Sequence, residues 1–174
     1  MYLLPDQAKS ALLYMFLIFC VIAPGLSFNL LLRRKIIDTI EMETTKERGI
    51  PIILMFLYCI MLYVLFIVKS GEGILPKFVY ALPLSGAIVC AVYFFLNRWK
   101  KISIHGAGAG ILVGFILAYI ILHEEFELWM FALTLIISGL IMTARLYLQK
   151  HTFFELVFGW CVGLAITFGV NYFY

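Results

Sequence analysis

Long apolar stretches separated by short polar breaks make up most of the chain. A helix needs about 20 apolar residues to cross the roughly 30 Å hydrocarbon core of a bilayer, because each residue advances it by about 1.5 Å. By this measure the sequence predicts six membrane-spanning helices, at residues 10–32, 51–68, 78–96, 104–122, 128–147 and 152–173. Helices are favoured over a barrel because no stretch alternates polar and apolar residues with a period of two.

The composition excludes a water-soluble protein. Of the 174 residues, 64% are hydrophobic and only 13% are charged, whereas soluble domains are about 45–50% apolar and about 25% charged. A soluble chain of this length has one modest core, which cannot bury so much apolar surface. We therefore predict an all-α integral membrane bundle of six transmembrane helices, forming one domain over residues 1–174, with the lipid bilayer around it and no binding of nucleic acid.

The break between the first two spans is longer than the others. Residues 33–49 mix charged side chains with isoleucines and a methionine. This pattern is typical of an amphipathic helix that lies in the membrane interface. The sequence therefore predicts a short interfacial segment between spans 1 and 2.

Six spans place alternate breaks on opposite faces of the membrane. We name face X the side that holds the breaks at 33–49, 97–103 and 148–151, and face Y the side that holds both termini and the breaks at 69–77 and 123–127. Ten of the 13 Lys and Arg residues lie on face X. By the positive-inside rule, this bias predicts that face X is cytoplasmic.

Two clusters of polar residues share face X. Ionisable residues at or within membrane spans are costly and usually functional. The first cluster is the sequence KKISIHGAG at residues 100–108, and the second joins spans 5 and 6 and contains Arg145, His151 and Glu155. Because span 4 leaves face X and span 5 returns to it, we expect the two clusters to converge.

These residue types suit phosphoryl chemistry. Lys100, Lys101 and Arg145 offer positive charge, and arginine matches two phosphate oxygens at once. Ser103 and the backbone amides at the start of span 4 add donors at a helix N-terminus, where anions bind favourably.

The two histidines are predicted to carry the reaction. His151 and Glu155 are four residues apart, so they share one helix face and the carboxylate can hold the imidazole. This spacing predicts a nucleophile with its orienting acid, and His105 is predicted to act as general acid. The alternative is that the basic side chains only extend towards lipid head groups.

Glycines recur every four residues in spans 4 and 6. They are Gly106, Gly110, Gly114, Gly159 and Gly163. Such stripes of small residues are typical of helices in close contact. We interpret them as packing surfaces, with phosphate-binding loops as the alternative.

Two of these patterns resemble signatures of the type 2 phosphatidic acid phosphatase superfamily. The sequence R-x5-H-x3-E at residues 145–155 resembles its third signature, S-R-x5-H-x3-D, and I-S-I-H at residues 102–105 resembles its second, P-S-G-H. The family has a six-helix core in which the second signature opens span 4 and the third bridges spans 5 and 6. The sequence predicts the same layout here.

The resemblance implies a mechanism. It implies that His151 attacks phosphorus to give a phosphohistidine and that Glu155 assists it. It also implies that His105 protonates the leaving group, that Arg145 holds phosphate, and that no metal or other cofactor is required. The family's first signature, K-x6-R-P, is missing, because the sequence has no Arg-Pro pair. Arg98, Lys100 and Lys101 are expected to take its place.

The predicted function is hydrolysis of a phosphomonoester or diphosphate on a membrane lipid. Phosphatidic acid, phosphatidylglycerophosphate and polyprenyl diphosphates are candidate substrates. The alternatives are a lipid head-group phosphotransferase, and a degenerate relative that binds anionic lipid or assembles with a second copy or another membrane protein. The predicted location is the cell membrane, in particular a bacterial inner membrane. The charge bias predicts that the site faces the cytoplasm, whereas the resemblance implies a site that faces the periplasm.

Overall fold

A computed structural model describes residues 5–39, 42, 45–70, 75–123 and 128–174. Within these residues the chain is helical and has no strand. The elements are α1 (Asp6–Leu17), a π-helical turn (Ile18–Ile22), α2 (Ala23–Arg33), α3 (Thr45–Ser70), α4 (Lys77–Leu96), α5 (Ile104–His123), α6 (Leu128–Tyr147) and α7 (Phe153–Phe173).

The first three elements form one continuous helical span, Asp6–Arg33. With α3 to α7, the described part of the chain thus has six helices that are long and apolar enough to cross a membrane. The prediction of an all-α chain with six such helices is confirmed.

The break after α2 differs from the predicted interfacial helix. Lys35 adopts a left-handed conformation with φ of 55°, and its amide and that of Ile36 donate to carbonyls of the last turn of α2, both at 3.0 Å. This Schellman motif ends the helix, and residues 34–38 follow as turns and bends. Residues 40, 41, 43 and 44 lie outside the described residues.

Two apolar residues of this break, Ile37 and Met42, lie inside the bundle, whereas Ile36 is exposed. Ile37 is only 1% exposed and Met42 is buried, so both side chains lose contact with water by packing against the helices. An apolar side chain gains similarly from burial in protein or in lipid. The sequence predicted a short amphipathic helix within residues 33–49, and over residues 34–38 that prediction is wrong, because the chain there forms turns and bends.

Glycines let the backbones of α5 and α7 touch, and these two helices make the most extensive pairing in the bundle. A Cβ atom added to Gly106 or Gly114 would lie 2.6 Å from the carbonyl oxygen of Leu156 or Leu164. The other glycines of the two stripes, Gly110, Gly159 and Gly163, face backbone atoms of the opposite helix in the same way. The interpretation of the stripes as packing surfaces is confirmed.

The other helices surround this central pair. α3 packs on α4, α4 also contacts α7, and α6 packs on α5. The first span and α6 have few buried residues and occupy the periphery. On face Y the ends of α4 and α7 meet, where Lys77 Nζ donates to the carbonyl of Tyr174 at 3.1 Å.

We expect Gly110→Ala to destabilise the bundle by about 1–3 kcal/mol, the usual cost of overpacking a core. The added methyl would collide with the backbone of Trp160 and Leu164, so α5 and α7 must separate. Gly108→Ala is the matched control, because no atom lies within 4 Å of a Cβ there. It should be neutral, or stabilising by up to about 1 kcal/mol through helix propensity. Thermal unfolding of the protein in detergent measures both, and equal midpoints for the two variants would contradict the packing role.

Candidate active site

The starts of α5 and α7 lie side by side on face X. The backbone amide of Ser103 donates to the carbonyl of Glu155 at 3.3 Å, and Arg145 at the end of α6 reaches His105 in the first turn of α5. The structure thus brings both sequence clusters to one end of the bundle. It holds the residues predicted to be nucleophile, orienting acid, general acid and phosphate clamp: His151, Glu155, His105 and Arg145.

His151 and Glu155 form a hydrogen-bonded pair. Nδ1 of His151 lies 2.9 Å from Oε2 of Glu155. An ionised carboxylate can only accept hydrogen bonds, so His151 carries its proton on Nδ1 and has its lone pair on Nε2. That tautomer leaves Nε2 as the basic nitrogen of the imidazole, the one able to act as a nucleophile.

The start of α7 fixes the carboxylate of this pair. Thr152 is the N-cap of α7. Its hydroxyl accepts from the amide of Glu155 at 3.3 Å, and in return the Glu155 carboxylate accepts from the amide of Thr152 at 3.3 Å. This capping box satisfies two amides at the helix start. Glu155 therefore orients His151 from a carboxylate that the helix itself holds in place.

The tight turn between α6 and α7 sets the distance between Arg145 and His151. Gln149 is left-handed with φ of 53°, and the amide of Lys150 donates to the carbonyl of Arg145 at 3.2 Å. This Schellman motif ends α6 at Tyr147, two residues after Arg145, and the chain enters α7 at Phe153. Both side chains consequently stay on face X.

Arg145 is bonded to His105. Its Nη2 lies 2.6 Å from Nε2 of His105. A guanidinium has no acceptor, so Arg145 donates and His105 accepts as a neutral imidazole. The sequence predicted separate roles for these residues, phosphate binding and proton donation, and gave no sign that they would bond to each other.

An open groove lies beside His151. Its volume of about 390 Å³ is within the range of about 300–1,000 Å³ that is usual for small-molecule sites. The groove is lined by Lys101, Leu146, Gln149, Lys150, His151, Thr152 and Glu155. Two lysines and a histidine on its wall make it suited to an anion.

Three residues predicted to bind phosphate lie elsewhere. Ser103 is fully buried, and its hydroxyl accepts from the amide of Gly106 at 3.1 Å, so it caps α5 rather than facing the groove. Lys100 and Arg98 are exposed and outside the groove lining. Arg98 lies over the ring of Phe94, 5.8 Å from its centroid.

Arg48 is a site residue that the sequence analysis missed. It is only 3% exposed, although it was counted simply as one of the basic residues of face X. Its charge acts on His105, His151 and Glu155. Its position directly before the apolar run of α3 could have indicated a role in the site, because an ionisable residue at the end of a span is usually functional.

The surroundings of His151 favour its neutral form. Partial burial lowers the pKa of His151 below its ordinary value, and the nearby charges of Arg48 and Lys101 lower it further. The hydrogen bond that His151 donates to Glu155, together with the negative charge of Glu155, opposes this change. Because the lowering dominates, His151 is uncharged at pH 7 and keeps the lone pair that a nucleophile requires.

Comparison with protein-family models, with curated proteins and with solved structures finds no match to this chain. Among the residues described by the structure, no group of three or more His, Cys, Asp or Glu side chains is arranged to hold a metal ion.

We expect Glu155→Gln to lower the pKa of His151 further. The substitution removes a negative charge that stabilises the imidazolium form, so protonation should begin at a lower pH than in the wild type. NMR titration of the histidine side chains in detergent measures the change. Asp6→Asn, at the opposite face, is the control and should leave the titration unaltered. A His151 pKa that stays in place or rises in Glu155→Gln would contradict the pairing.

Proposed function

We propose that this chain is a membrane phosphatase that removes a phosphoryl group from a lipid phosphomonoester or diphosphate through a phosphohistidine on His151. The observation that carries the proposal is the His151–Glu155 pair at the wall of an open, basic groove. The resemblance of residues 102–105 and 145–155 to two signatures of the type 2 phosphatidic acid phosphatase superfamily supports the same chemistry.

In the first step, Nε2 of His151 attacks phosphorus and the bond from phosphorus to the lipid oxygen breaks. The imidazole becomes positively charged as the new bond forms, and the Glu155 carboxylate, bonded to Nδ1–H, stabilises that charge. The leaving oxygen takes a proton from His105, which acts as general acid.

Arg145 changes its partner for this step to occur. A phosphate oxygen is charged and accepts a stronger hydrogen bond than a neutral imidazole does. The incoming phosphate therefore draws Arg145 away from His105, and the freed Nε2 of His105 takes up a proton from the surrounding water, which it later donates to the leaving oxygen. The bond between Arg145 and His105 thus couples phosphate binding to preparation of the acid.

In the second step, water attacks the phosphohistidine. His105, now neutral, accepts a proton from this water as the bond between phosphorus and His151 breaks. Inorganic phosphate leaves, and one water is consumed for each lipid. A phosphotransferase would follow the same path with an alcohol in place of water.

Aromatic side chains around the site support a lipid substrate. Trp99, Tyr147 and Phe154 are strongly exposed and lie in or beside the two turns that bear the site. Exposed aromatic residues at the ends of membrane spans are typical of the head-group layer. The groove would therefore lie at the level of a lipid phosphate, on the face that the charge bias assigns to the cytoplasm.

The second candidate is a relative that binds lipid phosphate without turning it over, favoured by the missing first signature. Phosphate release from a panel of lipid phosphates by purified protein in detergent, with and without EDTA, separates the two. A wild-type protein that binds these lipids but releases no phosphate from any of them would overturn the enzyme proposal.

His151→Ala should abolish phosphate release, because it removes the nucleophile. His105→Ala should reduce the rate by about 10²–10⁴-fold, the usual contribution of proton transfer, and least for lipids with a good leaving group. Lipid binding should survive in His151→Ala, since Arg145 and Lys101 remain. His123→Ala, at the far end of α5, is the control and should keep wild-type activity.

Lys101→Gln should raise KM by about tenfold, the factor that corresponds to about 1.4 kcal/mol of lost binding, since Lys101 lines the groove. Lys100→Gln is the matched control, because the Lys100 side chain, next to Lys101 in the sequence, is exposed and lies outside the groove lining. Steady-state kinetics on one lipid phosphate in mixed micelles measure both. The same KM change in the two variants would mean that the lysines act only through general surface charge.

A further inference from the structure

Arg48 is held inside the bundle by backbone carbonyls. Its Nε donates to the carbonyl of Met42 at 2.7 Å, and its Nη1 donates to the carbonyl of Ile102 at 3.2 Å. Met42 precedes α3 and Ile102 precedes α5, so one guanidinium joins two segments that are far apart in sequence. The planar fork of arginine suits such a double contact, and lysine has no equivalent.

The carbonyl of Ile102 belongs to the backbone that supports the site. The next residue, Ser103, caps α5 with its hydroxyl. Its backbone amide donates to the carbonyl of Glu155, and its backbone carbonyl accepts from the hydroxyl of Tyr93 at 3.3 Å. A displacement of Arg48 would therefore move the start of α5 relative to the first turn of α7. His105 and Glu155 lie on those two turns.

The charge of Arg48 also belongs to the site. A buried cation is costly unless opposite charge lies near it, and Arg48 interacts electrostatically with Glu155 and with Glu47 of its own helix. The charged and titratable groups facing His151 come from the elements packed around it: Glu155 of α7, Arg48 of α3, His105 of α5, and Lys101 and Lys150 of the adjoining turns. Cations outnumber carboxylates in this set, and Arg48 is the cation that is buried.

We propose that Arg48 is a positioning residue of this site. It fixes the turn before α5 against the first turn of α7, and its permanent charge adds to the effect of burial in favouring the unprotonated form of His151. Because it is buried, it acts through these residues and not on the substrate. Its importance for turnover rests on the proposed function, whereas its effect on His151 is a physical property that can be measured without any substrate.

The test is an NMR titration of His151 in detergent, without added substrate, in the wild type and in Arg48→Gln. Glutamine keeps an amide donor for a carbonyl but removes the charge, so the pKa of His151 should rise, as expected when a nearby like charge is removed. Arg98→Gln is the control: it removes an exposed arginine of face X and should leave the titration unchanged.

Arg48→Lys separates charge from geometry. Lysine keeps the charge, so His151 should titrate as in the wild type, but it cannot bridge both carbonyls, so the unfolding midpoint should fall. This variant also keeps the proposal testable if Arg48→Gln fails to fold. A His151 pKa that rises in Arg48→Lys, or one that stays in place in folded Arg48→Gln, would overturn the proposed role of the charge.

The activity profile gives a second readout. If the chain is a phosphatase, the acidic limb of kcat/KM follows protonation of His151, so it should move to higher pH in Arg48→Gln. If wild-type protein is inactive on all lipid phosphates but the titration still shifts, the proposed function fails and the role of Arg48 stands. If activity is present and neither the titration nor the profile moves, the role of Arg48 fails and the proposed function stands.

Discussion

Direct contact between the backbones of α5 and α7 is the constraint on which the rest of the site depends. At the face X end of this contact, a Cβ atom on Gly159 would lie 2.6 Å from the carbonyl of Ser103 and 2.7 Å from the hydroxyl of Tyr93. Only glycine allows Ser103 to approach α7 so closely, and that approach lets its amide bond to the carbonyl of Glu155. The glycine stripe therefore places the start of α5 beside the helix that carries the carboxylate.

Glu155 links this packing to the chemistry. Its carboxylate caps α7, holds Nδ1 of His151 and faces the buried charge of Arg48. A carboxylate has about four lone-pair directions and can serve several partners at once. Because these partners share the Glu155 carboxylate, the fold of the start of α7 and the protonation of His151 depend on each other. Cations outnumber carboxylates around His151, so this end of the bundle favours an anion.

The sequence by itself determined the features that depend on local spacing. A bilayer sets the length of a span, so hydropathy was enough to place the helices. The predicted spans 78–96 and 128–147 match α4 and α6 to within a residue at each end. The spacing of four residues between His151 and Glu155 predicted their pairing for the same reason, since one helix turn brings them together. The glycine spacing indicated close packing, because neighbouring glycines repeat on one face.

Only the tertiary structure decided the contacts between distant segments. The bond from Arg145 to His105 joins residues 40 apart, and that from Arg48 to the carbonyl of Ile102 joins residues 54 apart, so both depend on how the helices rotate against one another. The break after α2 was mispredicted because an apolar residue such as Ile37 can be buried either in the membrane interface or in the helix bundle. The pattern of apolar residues along the sequence is the same in the two cases. Ser103 was predicted to bind phosphate because a hydroxyl at a helix start can serve a ligand or the helix itself, and only packing decides which.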